Sequence, residues 1–123
     1  MSYILLVEDD PDDALFFKMA CQKAGFPVPV LARDGQEALD WLDKDKPKLV
    51  VLDLKLPKID GLDVLKRLRE KYPPDEVRVA VLTASNEDSD KACAESLGIS
   101  LFLRKPSNAD HLPDIVRRIL QLI

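Results

Sequence analysis

A chain of 123 residues, 46% of them apolar and 33% charged, has the size and balance of one soluble globular domain. Its 18 basic and 22 acidic residues leave a net charge of −4, which gives no basic footprint for nucleic acid. One histidine (His111), two cysteines (Cys21 and Cys93) and four dispersed glycines exclude the usual His/Cys zinc site, a Walker loop and a dinucleotide fingerprint, and leave a Ser-His-Asp triad open only through His111.

The first element is Tyr3-Ile4-Leu5-Leu6-Val7, an unbroken apolar run that predicts a strand buried on both faces. The acids Glu8, Asp9 and Asp10 follow it. Asp12 to Ala24 reads as a helix stopped by Gly25, a good C-cap. A weaker strand signal covers Val28 to Ala32, and Gln36 to Leu42 places Ala38, Leu39 and Leu42 on one helical face. Leu49-Val50-Val51-Leu52 is a second strong strand, ending at Asp53. Leu62, Leu65 and Leu68 recur at helical spacing before Pro73. Val77 to Leu82 is a third strong strand, ending at Thr83. Glu87 to Leu97 reads as a helix before Gly98. Ser100 to Leu103 is a weak strand that runs into Arg104-Lys105-Pro106, and Asn108 to Leu122 carries the apolar stripe Leu112, Ile115, Val116, Ile119 and Leu122.

Five alternations of strand and helix predict an α/β fold, a doubly wound five-stranded parallel sheet flanked by five helices. The simplest right-handed solution is the flavodoxin-like order 2-1-3-4-5, with ligands bound beyond the carboxyl ends of strands 1 and 3. Short connections and the absence of repeats predict one domain over residues 1–123, with no attached output domain. Tyr3 to Val7, the longest apolar run, falls far short of the roughly 18 residues that span a membrane. Free thiols and no leader predict a cytoplasmic protein with no membrane contact.

In this arrangement Glu8, Asp9 and Asp53 converge on one cleft. Two carboxylates ~4 Å apart repel by roughly 4 kcal/mol at an effective dielectric near 20. Three stay ionised together only beside a cation, and Mg²⁺ suits a site of carboxylates and water. Thr83 and Lys105, at the ends of strands 4 and 5, complete a set able to handle a phosphoryl group. Lys105 and the metal neutralise its oxygens, Thr83 donates a hydrogen bond, and one Asp serves as nucleophile. Taken singly, each residue has a plainer role. Acids favour a helix start, Asp is common in turns, Thr suits strands, and Lys is usually solvated. Their joint occurrence at four strand ends outweighs those separate roles.

These pieces resemble the receiver domain of two-component response regulators: Leu5-Leu6-Val7-Glu8-Asp9-Asp10, Leu52-Asp53-Leu54-Lys55-Leu56-Pro57-Lys58-Ile59-Asp60-Gly61, Leu82-Thr83-Ala84 and Lys105-Pro106. The resemblance implies that Asp53 accepts a phosphoryl group from a histidine kinase or a phosphotransfer protein. It also implies Mg²⁺ bound by Asp9 and Asp53, with Glu8 reached through water and the Lys55 main-chain carbonyl completing the protein ligands. Thr83 and Lys105 would contact the phosphoryl oxygens, and Lys105-Pro106 would be a cis peptide. Phe102 falls at an aromatic switch position where plain edge-strand packing is the alternative, and Asp10 is left as a helix cap. Lys55 and Ser85 fall where family members tune dephosphorylation. Within the family the chain is most similar to stand-alone receivers of phytochrome-type kinases.

The resemblance implies a phosphoacceptor with self-catalysed phosphotransfer and dephosphorylation rather than a conventional enzyme. Its output would pass through the face of helix 4, strand 5 and helix 5 to a downstream protein, a homodimer or a further relay. Leu120 to Ile123 would either extend a dimer contact or fold back onto the sheet, and His111 is expected on the surface. Two competing readings are a receiver-like docking module that is never phosphorylated and an Asp-nucleophile phosphohydrolase of the haloacid dehalogenase type. The latter needs a second Asp at position 55, where this chain has Lys.

Overall fold

The computed structural model describes residues 3–85 and 87–123. Five strands, β1 (Ile4–Val7), β2 (Val30–Ala32), β3 (Leu49–Leu52), β4 (Arg78–Thr83) and β5 (Leu101–Arg104), alternate with five helices. The helices are α1 (Pro11–Lys23), α2 (Gly35–Lys44), α3 (Gly61–Lys71), α4 (Asp88–Ser96) and α5 (Leu112–Leu120). All strand pairs are parallel, as the alternation predicts, and the sheet order is β2-β1-β3-β4-β5, the simplest right-handed solution. The register sets Val7 beside Leu52, Leu52 beside Val81 and Thr83 beside Arg104. The carboxyl ends of the inner strands therefore lie side by side.

The strand period of two splits the core between the two faces. Leu5, Val7, Val50, Leu52, Val79 and Val81 pack with Leu39, Leu42, Val64, Leu65, Leu68 and Ala94 of α2, α3 and α4. Ile4, Leu6, Leu49, Val51, Ala80 and Leu82 pack with Phe17 and Cys21 of α1 and with Val116 and Ile119 of α5. Every residue of β1 and β3 is buried, which is why these strands read as continuous apolar runs. The Cys21 thiol, pushed up to about 11 by burial, behaves as a small apolar group here, and Cys93 is half-buried and also free.

Where boundaries moved, backbone chemistry moved them. β2 starts at Val30 rather than Val28, because Pro27 and Pro29 lack the N–H that a strand ladder needs and Val28 is exposed. The last helix is preceded by a 3-10 turn at Ala109–His111, and Pro113 sits in the first turn of α5, where a missing N–H costs nothing. Gly25 and Gly98 take the left-handed φ of +81° and +78° expected just past a helix end. Leu120 is buried and Leu122 packs, partly buried, against the same core cluster, so this end of the chain folds back onto its own domain while Ile123 stays exposed.

Lys105-Pro106 is trans, since no described peptide bond is cis, and this corrects the expectation drawn from the resemblance. Trans is favoured by ≈ 0.5–1 kcal/mol at X-Pro bonds. With this trans backbone the Lys105 N–H donates to the Thr83 carbonyl at 2.9 Å and the ammonium still reaches Glu8 and Asp53 at the strand ends.

One charged residue works as a structural tie. Arg69, near the end of α3, donates to the carbonyls of Leu97 (2.7 Å), Val77 (2.8 Å), Gly98 (3.0 Å) and Tyr72 (3.4 Å). It thereby joins the end of α3, the start of β4 and the end of α4. No described helix is long and apolar enough to cross a membrane.

Candidate functional site

The parallel ladders continue past the strand ends and fix the polar residues that follow. The Glu8 N–H donates to the Ala32 carbonyl at 3.0 Å and the Asp53 N–H to the Val7 carbonyl at 3.1 Å. Glu8, Asp53 and Thr83 are buried, and Asp9 is exposed at the rim. The loop after Asp53 closes tightly. The Gly61 N–H donates to the Leu54 carbonyl at 3.1 Å, and a Cβ on Gly61 would run into the Asp53 carbonyl and lie 2.5 Å from Leu54 Cα. Only glycine allows α3 to start this close to the β3 end.

Both oxygens of Asp53 are held. Oδ1 accepts from Thr83 Oγ1 at 2.9 Å and from the Lys55 N–H at 3.0 Å. Oδ2 lies 2.8 Å from Lys105 Nζ. That ammonium also touches Glu8 Oε1 at 2.8 Å and Asp13 Oδ2 at 2.9 Å. The other Glu8 oxygen accepts the Asp10 N–H at 3.1 Å. Ligand oxygens of Glu8, Asp9 and Asp53 lie within 4.8 Å of one another.

Charge in the cleft is unbalanced: the Lys105 ammonium faces the carboxylates of Glu8, Asp13 and Asp53, and Asp9 adds a fourth beside Glu8 and Asp53. Burial pushes the Glu8 carboxyl up to about 7, against the opposing pull of Lys105. Burial also disfavours the Lys105 ammonium, but its bonds to Asp53, Glu8 and Asp13 outweigh this and hold it above the usual lysine range. A proton on Glu8 and a cation among the three acids are two ways to relieve the same excess. The hard oxygen donors and their spacing fit Mg²⁺, which accepts a few carboxylates and keeps water for its remaining positions.

The predicted residues thus divide into two groups. Glu8, Asp9, Asp53, Thr83 and Lys105 come together. Lys55 contributes its N–H to Asp53, while its ammonium points to Asp90 of α4, 3.5 Å from Oδ2. Phe102 lies on the edge strand β5, half-buried against the core, with Lys91 Nζ 5.9 Å from its ring centre. Asp10 caps α1, accepting the N–H groups of Asp12 (2.9 Å) and Asp13 (3.2 Å), and His111 is on the surface.

Two participants escape sequence reasoning. Asp13 is one more acid in a helix start, and only the fold brings it to Lys105. Asp90 accepts from Ser85 Oγ at 2.8 Å, and the Ser85 N–H in turn donates to Thr83 Oγ1 at 3.2 Å. A continuous chain of polar contacts therefore runs from Asp53 through Thr83 and Ser85 to α4.

A family profile described as response regulator receiver domain matches residues 4–117. Among curated proteins, the alkaline phosphatase synthesis transcriptional regulatory protein PhoP of Bacillus subtilis is 34% identical over 96% of this chain and 48% of its own length. The transcriptional regulatory protein CpxR of Escherichia coli is 38% identical over 98% of this chain and 50% of its own length. The chain spans about half the length of these two relatives. Among solved structures, the Mn(2+)-bound form of response regulator Rcp1 superposes with a TM-score of 0.85 at 30% identity, covering 97% of this chain and 91% of that one. The phosphorylated cyanobacterial phytochrome response regulator RcpA gives 0.84 at 32% identity, covering 98% and 93%. Fold, site and sequence agree: the chain belongs to the response regulator receiver domain family.

Proposed function

We propose that Asp53 is the phosphoacceptor of a Mg²⁺-dependent receiver that takes its phosphoryl group from a histidine kinase or a histidine phosphotransfer protein. The observation that carries this reading is the double restraint on Asp53, with Thr83 and the Lys55 N–H on one oxygen and Lys105 on the other. A carboxylate held this way is preorganised for attack. An Asp53 oxygen forms the new P–O bond as the P–N bond to the donor imidazole breaks, and the departing imidazole takes up a proton. Glu8, Asp9, Asp53 and the Lys55 main-chain carbonyl would hold Mg²⁺, which when bound supplies positive charge to the phosphoryl oxygens. The Mn(2+)-bound and phosphorylated states of the two superposed regulators support both halves of the reading.

Thr83 and Lys105 then transfer their contacts from the Asp53 carboxylate to the phosphoryl oxygens. Because the Ser85 N–H rests on Thr83 Oγ1, a shift of Thr83 draws on the segment leading into α4. The signal leaves by the face of α4, β5 and α5, where Phe102 changes its burial, and passes to a protein target or a second copy of the chain. Full conversion from 1:99 to 99:1 requires about 5.5 kcal/mol of preference for the active state. Charge-assisted contacts from Thr83, Lys105 and a metal are of that order. Leu15, Phe16 and Met19 of α1 are exposed and apolar, which supports a protein donor docking on that helix. The free thiols of Cys21 and Cys93 support a reducing, cytoplasmic setting.

The test is incubation with Mg²⁺ and acetyl phosphate, followed by mass spectrometry. The expected product is an acid-stable, base-labile adduct that disappears in Asp53→Ala. No adduct on wild type, or one that survives the substitution, overturns the proposal.

A further inference from the structure

The three carboxylates around Lys105 are not equivalent. Glu8 and Asp53, whose side chains are each only 5% exposed, also belong with Asp9 to the trio whose oxygens lie within 4.8 Å. Asp13 stands outside that trio, and its side chain is 42% exposed. A divalent cation held by the trio would draw the Glu8 and Asp53 oxygens to itself and set positive charge next to the ammonium. Of the three neighbours, Asp13 alone keeps its charge undivided.

The backbone around this pair is fixed on both sides. Asp13 sits in the capped first turn of α1, its N–H donating to Asp10 Oδ1 at 3.2 Å. Lys105 is pinned through its own N–H to the Thr83 carbonyl at 2.9 Å. The side chains can therefore exchange partners while the strands stay in place.

We infer that Asp13 is the positioning residue for Lys105: it retains the ammonium beside the acceptor when Mg²⁺ takes over Glu8 and Asp53. This rests on the phosphoacceptor reading of the same site. Without Asp13, the ammonium has only the metal's own ligands as partners, and it competes with the metal for them. Asp13 thus strengthens Mg²⁺ binding without touching the ion.

Calorimetric titration of the full chain with Mg²⁺ alone tests this. Asp13→Asn is expected to weaken Mg²⁺ binding by about three- to tenfold, the range of a partly exposed ion pair that couples two sites. Asp13→Glu, which keeps the charge, is expected to restore most of that loss. The decisive measurement repeats Asp13→Asn in a Lys105→Met background, where its effect is expected to shrink below about twofold because the residue it acts through is gone. Unchanged affinity in the wild-type background overturns the inference. An equal loss in both backgrounds also overturns it, by making Asp13 a general source of negative potential. If wild type binds Mg²⁺ and forms the Asp53 adduct while Asp13→Asn does both equally well, only the role of Asp13 falls. A wild-type chain that binds no Mg²⁺ sinks both readings.

Discussion

Thr83 Oγ1 donates to Asp53 Oδ1 at 2.9 Å while accepting the Ser85 N–H at 3.2 Å, so one buried hydroxyl joins the Asp53 carboxylate to the segment before α4. Thr83→Ala removes both bonds at once. The expected cost is about 1–2 kcal/mol in urea denaturation, from two buried polar groups left with fewer partners. Thr83→Ser keeps the hydroxyl and is expected to recover most of it. In hydrogen exchange, phosphorylation is expected to alter protection at the start of α4 in wild type and Thr83→Ser, and to leave it unchanged in Thr83→Ala.

Lys105→Met strands three carboxylates that now share one ammonium. Removing one partner of a largely buried charge cluster costs more than the cluster contributes when intact. In metal-free buffer the loss is expected to be about 2 kcal/mol, reduced for the partial exposure of Asp13. Millimolar Mg²⁺ is expected to return part of that stability, because a cation relieves the same repulsion. Equal destabilisation with and without Mg²⁺ would contradict the electrostatic origin.

Glu8 makes stability depend on pH in an unusual direction. Its folded pKa is raised by burial to about 7, above the ordinary value of 4.5, so between those values the folded chain binds the extra proton. Stability from this group is complete below about 4.5 and is lost as pH rises through about 7. Comparing wild type with Glu8→Gln in EDTA isolates the effect. The wild-type advantage is expected to fall by on the order of 2 kcal/mol from pH 4.5 to 7.5. A flat difference would show that Glu8 is ionised throughout.

Gly61→Ala places a methyl group against the Asp53 carbonyl and Leu54 Cα. These are backbone atoms with no flexible end to yield, so the loop must move. The expected effect is a loss of about 2 kcal/mol together with slower acetyl phosphate labelling, because displacing this loop displaces Asp53. Normal labelling in a folded Gly61→Ala protein would separate loop geometry from acceptor reactivity.

Much of this was legible beforehand because the relevant signals are local. β1 and β3 are buried on both faces and carry unbroken apolar runs, and the acids, Thr83 and Lys105 directly follow strand ends. The sheet order then brings those ends together. Phe102 was less legible, since a half-buried aromatic on an edge strand has the same spacing whether it packs or switches. Asp13 and Asp90 were not legible as partners. Each lies in the first turn of a helix, where an acid is favoured anyway, and the pairing depends on side chains crossing between elements. The resemblance implies a cis Lys105-Pro106 peptide, whereas the bond is trans in the structure, and no local residue pattern distinguishes the two isomers.

Arg69 gives the two ends of α4 different mechanical characters. Its guanidinium gathers carbonyls at the tail of that helix, where no titratable partner can let go. The head is fastened through side chains, Ser85 and Lys55 converging on Asp90. A disturbance in the cleft would therefore act on α4 as on a door, with travel greatest at the latch and smallest at the jamb.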